Sequence, residues 1–274
     1  MFEDDAKIIK KMTPHLQRVL IVDPHPASAR MLADLMRTLV RSQVVMVGDG
    51  RRGLEETHQF DAQIVFVELS GPNTDGVDFA RRFRRGDAPC RQAPLVMMTA
   101  EAKAQSIIAA RDAGTSEFLR KPFTTKDLLR RLEAVTLRPR DWIEAVAYIG
   151  PDRRRFNSGD YSGPLKRRTD AKDSNATRIA QALKILKSAV SAIPTDPTQA
   201  LRAMLAQATD LQKAAKATDN AKLSAGSEAL QAYLTAVVDK KAAFTLEEAA
   251  KRVAPLLVFL PAEAPRPAAK PAAA

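Results

Sequence analysis

The sequence predicts an α/β fold, a five-stranded parallel doubly wound sheet, followed by an all-α helical bundle. Between residues 17 and 136, five short apolar segments alternate with stretches whose apolar residues repeat at helical spacing. Such apolar runs joined by helices are typical of parallel strands covered by helices on both faces. From about residue 174 to 260 the pattern is purely helical.

Each predicted strand is a short apolar run, and the five are Arg18–Val22, Val44–Val47, Ile64–Val67, Leu95–Met98 and Glu117–Leu119. In a doubly wound sheet, functional groups gather at the carboxyl ends of the strands. Four of the strands end at a polar side chain, and these side chains are Asp23, Glu68, Thr99 and Lys121. We therefore expect the four side chains to meet at one edge of the sheet.

The pattern divides the chain into five segments. An N-terminal extension at 1–16 precedes the α/β domain at 17–136. Glycines, prolines and clustered arginines at 137–173 favour a basic linker or arm. Residues 174–260 are predicted to form the helical bundle, and the Ala/Pro-rich residues 261–274 a disordered tail.

Two local motifs mark helix starts within the bundle. Asp196 and Pro197 supply an N-cap followed by proline at the first helical position, and Thr245 begins a capping box. Four short amphipathic helices with short loops favour an antiparallel bundle. All three histidines of the chain precede residue 174, which excludes histidine phosphotransfer through the bundle. We expect a partner-docking or homodimerisation module.

Composition limits the class of protein. The 274 residues include one cysteine, Cys90, so neither a disulfide framework nor a cysteine zinc site is expected. No signal peptide and no membrane-spanning segment is expected, which favours a cytoplasmic protein. The net charge of +11 makes an anionic partner a candidate, although charge runs are more often solvated surfaces.

The segment from Glu68 to Gly76 carries the most specific motif. It reads Glu-Leu-Ser-Gly-Pro-Asn-Thr-Asp-Gly, and it resembles the phosphoacceptor strand of response-regulator receiver domains, the CheY-like fold, where Asp-Leu-x-x-Pro-x-x-Asp-Gly is found. The resemblance extends to Asp23, Thr99 and the Lys121-Pro122 pair. It implies a receiver domain in which Phe118 is the switch aromatic residue.

Two departures from the receiver pattern predict a degenerate phosphoacceptor site. Glu68 stands in place of the acceptor aspartate, and Pro24 in place of the second acid of a metal-binding pair. Asp23 by itself would give at most weak residual Mg²⁺ binding, so no metal and no cofactor is expected. The longer side chain of Glu68 moves its carboxylate about 1.5 Å outward. There it is expected to pair with Lys121 and approach Thr99, which would imitate part of the charge of a phosphorylated aspartate.

These features leave several functions open. The receiver is either held in an active-like, phosphorylation-independent state, or is an idle scaffold used for docking, or retains some phosphotransfer to Glu68. We favour a signalling adaptor that is not an enzyme and that binds a histidine kinase or a downstream regulator. A DNA-binding transcriptional regulator with a degenerate receiver is the alternative.

The arm contains an internal repeat of Tyr-x-Gly-Pro-x-basic-basic-basic. Arginine and tyrosine at this spacing suit phosphates and flat bases. The repeat resembles the arginine-rich extensions through which some CheY-like proteins bind cyclic di-GMP. A tether, a nucleic-acid contact or an acidic protein contact are the other interpretations. The candidate anion-binding residues are Tyr148, Arg153, Arg154, Arg155, Tyr161, Lys166, Arg167 and Arg168.

Overall fold

The computed structural model describes residues 3–101, 103–153 and 174–260. The chain divides into two compact units, Met1–Gly163 and Pro164–Ala274. The helices are α1 Glu3–Met12, α2 Pro26–Val40, α3 Gly50–Gln59, α4 Gly76–Arg85, α5 Ala104–Asp112, α6 Thr125–Thr136, α7 Ser174–Ala192, α8 Pro197–Ala217, α9 Ala221–Val238 and α10 Leu246–Leu257. The strands are β1 Arg18–Val22, β2 Gln43–Val47, β3 Ile64–Glu68, β4 Ser70–Gly71, β5 Thr74–Asp75, β6 Leu95–Thr99, β7 Glu117–Arg120, β8 Trp142–Glu144 and β9 Ile149–Pro151.

The first unit is built on a five-stranded parallel sheet in the order β2-β1-β3-β6-β7. This confirms the predicted α/β class, with the order reversing beside β1, as in a doubly wound sheet. Strands β4 and β5 form a small antiparallel hairpin directly after β3. That hairpin lies at the carboxyl edge of the sheet, next to Glu68.

Two apolar clusters cover the two faces of the sheet, because successive side chains of a strand point to opposite sides. In β1, Val19 and Ile21 belong to the cluster that includes residues of α1, α2 and α6. Leu20 and Val22 belong to the other cluster, with residues of α4 and α5. Because both faces of the sheet are covered, the strands are apolar along their length. The polar residues of interest lie at the strand ends or directly after them.

The N-terminal extension is part of the first cluster. Ile9 and Met12 of α1 are buried, together with Leu16 that follows. Helix α1 contacts α2 and α6. The extension therefore adds a helix to one face of the receiver-like domain.

The segment predicted as a linker or arm begins with an ordered hairpin. Strands β8 and β9 pair antiparallel, with Trp142 opposite Pro151 and Ile143 opposite Gly150. The sequence pattern did not indicate this hairpin, because glycine, proline and arginine favour a loop and the short strands depend on tertiary contacts. Here two glycines allow close backbone packing: a Cβ on Gly150 would lie 2.6 Å from the Cα of Gly114.

Arg84, at the end of α4, is the buried anchor for this hairpin. Its guanidinium donates hydrogen bonds to the carbonyl oxygens of Gly114 at 3.0 Å and Ala93 at 2.8 Å. It also lies 5.1 Å from the centre of the Trp142 ring, a cation–π distance. Burial is the main reason that the pKa of Arg84 is lowered to about 9. The charge is thus held by carbonyl dipoles and aromatic faces inside the unit.

The second unit contains the predicted helices. Helix α7 packs on α8, α8 on α9, and α10 contacts both α7 and α9. Asp196 caps α8 by accepting a hydrogen bond from the amide of Gln199, and Thr245 caps α10 through the amide of Glu248. Helix α10 contains Pro255 and continues through it to Leu257. None of the helices among the described residues is long and apolar enough to cross a membrane.

Replacing Gly114 by alanine should destabilise the first unit. Gly114 has φ +91°, and its added Cβ would lie 2.3 Å from the carbonyl oxygen of Ile149. Backbone strain of this kind costs about 1–3 kcal/mol, so we expect the free energy of unfolding to fall by at least that amount. Denaturant unfolding followed through the fluorescence of Trp142, the only tryptophan, measures the change.

Gly48→Ala is the matched control, because a Cβ on Gly48 would meet nothing within 4 Å. Its unfolding midpoint should stay close to that of the parent protein. Equal midpoints for Gly114→Ala and Gly48→Ala would show that the close packing of the hairpin on Gly114 is absent in solution.

Candidate functional site

Four polar side chains from four different strand ends come to the carboxyl edge of the sheet, as the sequence predicted. Asp23 follows β1, Glu68 ends β3, Thr99 ends β6 and Lys121 follows β7. Asp23, Glu68 and Thr99 are 2%, 5% and 3% exposed, respectively. Two carboxylates thus lie almost out of water, where a charge requires a partner.

Lys121 supplies that partner for both carboxylates. Its Nζ lies 2.7 Å from Oδ2 of Asp23 and 2.5 Å from Oε2 of Glu68. Its side chain is itself mostly buried. The expected pairing of Glu68 with Lys121 is therefore present in the structure. The ammonium joins the ends of β1, β3 and β7 through charge-assisted hydrogen bonds.

Asp23 receives additional hydrogen bonds from the start of α2. The amide of His25 donates to its Oδ1 at 2.9 Å, and the His25 ring nitrogen Nδ1 lies 3.4 Å from the same atom. Burial alone would raise the pKa of Asp23, but hydrogen bonds from Lys121, His25 and Ser28 outweigh it, and the net pKa is lowered. Asp23 is consequently held as a carboxylate. The sequence did not indicate His25 as a partner, because a backbone amide contributes the shorter contact.

Pro24 occupies the position where the receiver pattern has a second acid. Its ring lies against the β4–β5 hairpin, since a Cβ on Gly71 would come within 2.5 Å of Pro24 Cγ. An apolar ring thus fills space beside the carboxylates. Within the part of the chain that the structure describes, no group of three or more His, Cys, Asp or Glu side chains could hold a metal ion.

These donors do not fit a Mg²⁺ site. Mg²⁺ requires near-octahedral oxygen coordination, whereas the carboxylates of Asp23 and Glu68 already share the ammonium of Lys121. A metal would compete with this ammonium for the same two carboxylates, and Pro24 supplies no side-chain oxygen. No chemical step through a metal follows from this geometry.

Thr99 ends β6 at the same edge of the sheet, and its hydroxyl hydrogen-bonds locally. Among the described residues, the hydrogen bonds of its hydroxyl are with the backbone of Glu101, including one from the Glu101 amide at 3.1 Å. This contact is local, since a threonine hydroxyl readily forms a hydrogen bond with the backbone two residues ahead. Phe118, the predicted switch aromatic, is buried in the cluster with Leu20 and Met97.

The predicted anion-binding set is corrected at Tyr148. Its ring is only 8% exposed, and its hydroxyl donates to the carbonyl oxygen of Pro151 at 2.5 Å. The guanidinium of Arg153 lies 5.0 Å from the centre of that ring and 3.2 Å from a carboxylate oxygen of Asp112. Tyr148 therefore supports the hairpin and is not available to stack on a ligand. The remaining members lie outside the described residues, namely Arg154, Arg155, Tyr161, Lys166, Arg167 and Arg168.

Comparison with known proteins identifies the class. Residues 19–133 match the family model of the response regulator receiver domain. The chemotaxis protein CheY of Pseudomonas aeruginosa is 30% identical over 118 residues, which cover 43% of this chain and 94% of CheY. The DNA-binding response regulator MtrA of Mycolicibacterium smegmatis is 29% identical over 134 residues, 49% of this chain and 57% of MtrA.

Solved structures give related matches. Chemotaxis protein CheY4 of Vibrio cholerae aligns with a TM-score of 0.41 and 22% identity, covering 44% of this chain and 98% of CheY4. A response regulator from Chloroflexus aurantiacus aligns with a TM-score of 0.42 and 25% identity, covering 45% and 99%.

The chain belongs to the response regulator receiver family. Its receiver domain is accordingly a component of two-component signalling, in which receivers interact with histidine kinases and downstream effectors. The family match, residues 19–133, lies within the first unit, and the chain spans little more than half the length of MtrA.

Asp23→Asn should reveal the stability that comes from the lowered pKa of Asp23. A carboxyl whose folded pKa is depressed stabilises the fold above its unfolded pKa, near 3.8, and loses that contribution as pH falls through the folded value. We expect Asp23→Asn to be less stable than the parent by about 1–3 kcal/mol at pH 7. The difference should shrink below about pH 4.

Unfolding free energies measured by denaturant titration between pH 7 and pH 3 check this expectation. Asp34→Asn changes an exposed carboxylate on α2 that pairs with Arg37, and its effect at pH 7 should be below about 1 kcal/mol. A difference between parent and Asp23→Asn that stays constant over the whole pH range would exclude the proposed hydrogen-bonded carboxylate.

Proposed function

We propose that this chain is a cytoplasmic signalling adaptor of a bacterial two-component-type pathway whose receiver domain works without phosphorylation. In this function the receiver presents one fixed surface to a histidine kinase or downstream regulator, and the helical unit provides a second interaction surface. No catalytic step is assigned to the chain. The family membership supports the pathway, and the chemistry at Glu68 supports the independence from phosphorylation.

The observation that carries the proposal is the contact between Lys121 and Glu68. The carboxylate of Glu68 extends farther than that of an aspartate, and it lies 2.5 Å from the lysine ammonium. The longer side chain places its single negative charge nearer to where a phosphoryl group would lie, and in this way imitates part of the charge of a phosphorylated aspartate. Because the pair is buried, removing either partner would leave a buried charge unpaired, at a cost of about 3–5 kcal/mol.

The same geometry opposes phosphoryl transfer to Glu68. An attacking carboxylate needs an accessible oxygen and a cation that neutralises the phosphodonor. Glu68 is almost fully buried and engaged by Lys121, and Pro24 provides no metal ligand. Together these features favour a constitutive state over a phosphorylation switch.

Small-molecule phosphodonors should leave the protein unmodified. After treatment with acetyl phosphate and Mg²⁺, we expect the intact mass to lack the increase of about 80 Da that a phosphoryl group adds. The matched control is the double variant Glu68→Asp with Pro24→Asp, which restores both acids of the receiver pattern. A stoichiometric acid-labile adduct on Glu68 of the parent protein would contradict the proposal.

A capture experiment with the same samples tests the adaptor role. The protein, with or without acetyl phosphate treatment, is immobilised and used to capture histidine kinases and regulators of the pathway. We expect the parent protein to bind the same partners with and without acetyl phosphate. Glu68→Gln keeps the side-chain length but removes the charge that Lys121 contacts, so its binding should weaken. Binding of Glu68→Gln that equals the parent would favour the idle-scaffold interpretation instead.

The similarity to MtrA, a DNA-binding response regulator, supports the alternative that this chain is a DNA-binding regulator. That match covers 57% of MtrA. A titration of the full chain with duplex DNA at two salt concentrations distinguishes the alternative. Tight binding to one DNA sequence over others would favour it, whereas weak binding that disappears with added salt reflects net charge alone.

The cyclic di-GMP prediction now concerns Arg153 and the basic residues that follow it. Replacing Arg154, Arg155, Arg167 and Arg168 by alanine should abolish calorimetric binding of cyclic di-GMP, because phosphate contacts require the guanidinium groups. Tyr148→Ala should lower stability rather than change the ligand contact, since the ring is buried. Absence of heat with the parent protein at micromolar concentration would leave the segment as a tether.

A further inference from the structure

A cavity of about 350 Å³ opens at the end of the sheet opposite Glu68 and Lys121. Pro94 and Ser116, which directly precede β6 and β7, form its floor, and α6 with the β8–β9 hairpin forms its walls. Small-molecule sites typically have volumes of about 300–1,000 Å³. The cavity is therefore large enough for a ligand of the size of one nucleotide.

Most of the charged residues that line this cavity are cationic. Among its described residues, four arginines face two glutamates, which leaves an excess of positive charge; these residues are Arg130, Arg131, Arg138, Arg140, Glu117 and Glu133. Planar guanidinium groups match the oxygen geometry of phosphate better than a point charge does. The lining thus favours an anionic ligand.

The arginines are held in defined positions by neighbouring groups. Arg131 pairs with Glu117 at 3.2 Å, and both side chains are largely buried. Arg138 pairs with Glu133. Arg140 donates to the carbonyl oxygens of Ser116 and Asp152. Such constraints reduce the entropy that the side chains lose when a ligand binds.

Trp142 contributes a rigid aromatic wall. Its indole nitrogen donates to Glu144 at 2.9 Å, and the guanidinium of Arg84 lies 5.1 Å from the ring centre. Glu144 is in turn held by Arg91 at 2.9 Å. A fixed aromatic ring beside guanidinium groups is the combination that recognises a flat base attached to a phosphate.

We propose that this cavity binds a mononucleotide, with the phosphate at the arginines of α6 and the base against Trp142. The volume fits one nucleotide unit better than a cyclic dinucleotide, which has two bases and two phosphates. The site uses none of the residues of the Asp23–Lys121–Glu68 cluster. The inference therefore does not rest on the proposed function of the receiver site.

The indole Nε1–H resonance of Trp142 tests the proposal directly, since the chain has a single tryptophan. The ¹⁵N-labelled full chain is titrated separately with GMP, guanosine, inorganic phosphate and cyclic di-GMP. We expect GMP to shift the indole resonance in a saturable manner. Guanosine and inorganic phosphate should each bind at least roughly tenfold more weakly, because each lacks one half of the contact.

Arg130→Ala and its control locate the phosphate. The Arg130 side chain is 53% exposed and pairs with Asp127 three residues before it, so the substitution should leave the fold intact. It should weaken GMP binding roughly tenfold, the usual effect of one charge-assisted contact. Arg37→Ala removes an arginine that is 46% exposed and pairs with Asp34 at the same spacing on α2, and it should bind GMP like the parent.

Three results would overturn the proposal. The first is an indole resonance that none of the four compounds moves. The second is equal affinity for GMP and guanosine, which would show that the phosphate is not recognised. Equal affinity for GMP and inorganic phosphate would likewise show that the base is not recognised. The third is tighter binding of cyclic di-GMP than of GMP with no effect of Arg130→Ala, which would assign the ligand to the basic residues after Arg153.

Discussion

The ammonium of Lys121 between two buried carboxylates is the interaction on which the site depends. Asp23 and Glu68 are held at the ends of β1 and β3 by an apolar sheet that excludes water, so neither carboxylate is stable there without a cation. Lys121 follows β7, and its ammonium reaches both at hydrogen-bond distance. The three strand ends are therefore fixed relative to one another by charge as well as by the sheet.

A buried ion pair contributes little net stability compared with apolar packing, but removing one partner is costly. This asymmetry matters for function. A receiver with an exposed acceptor can change its charge through modification, whereas this cluster already contains its anion and its cation. Pro24 reinforces the difference, because its ring packs on Gly71 and takes the place of an acid. On our proposal that this receiver works without phosphorylation, the fixed charge pattern is the physical basis of that state.

The five strands of the parallel sheet were predictable to within about one residue, because β1, β3 and β6 are apolar on both faces and are bounded by polar side chains. The convergence of Asp23, Glu68 and Lys121 followed from the same topology. The direction of the Thr99 hydroxyl was not predictable, since it depends on a backbone bond to Glu101. The β8–β9 hairpin was missed for a similar reason. Its two three-residue strands are too short to show a hydrophobic periodicity. The hairpin is held by contacts with Arg84, more than fifty positions earlier in the chain.

The coupling free energy between Glu68 and Lys121 tests the central claim most directly. Unfolding free energies of Glu68→Gln, Lys121→Met and the double variant give this coupling through a double-mutant cycle. A buried, directly bonded pair predicts a coupling of about 1–3 kcal/mol. A coupling below about 0.3 kcal/mol, the level found for independent sites, would show that Lys121 does not hold Glu68 in solution, and the phosphorylation-independent state would lose its physical basis.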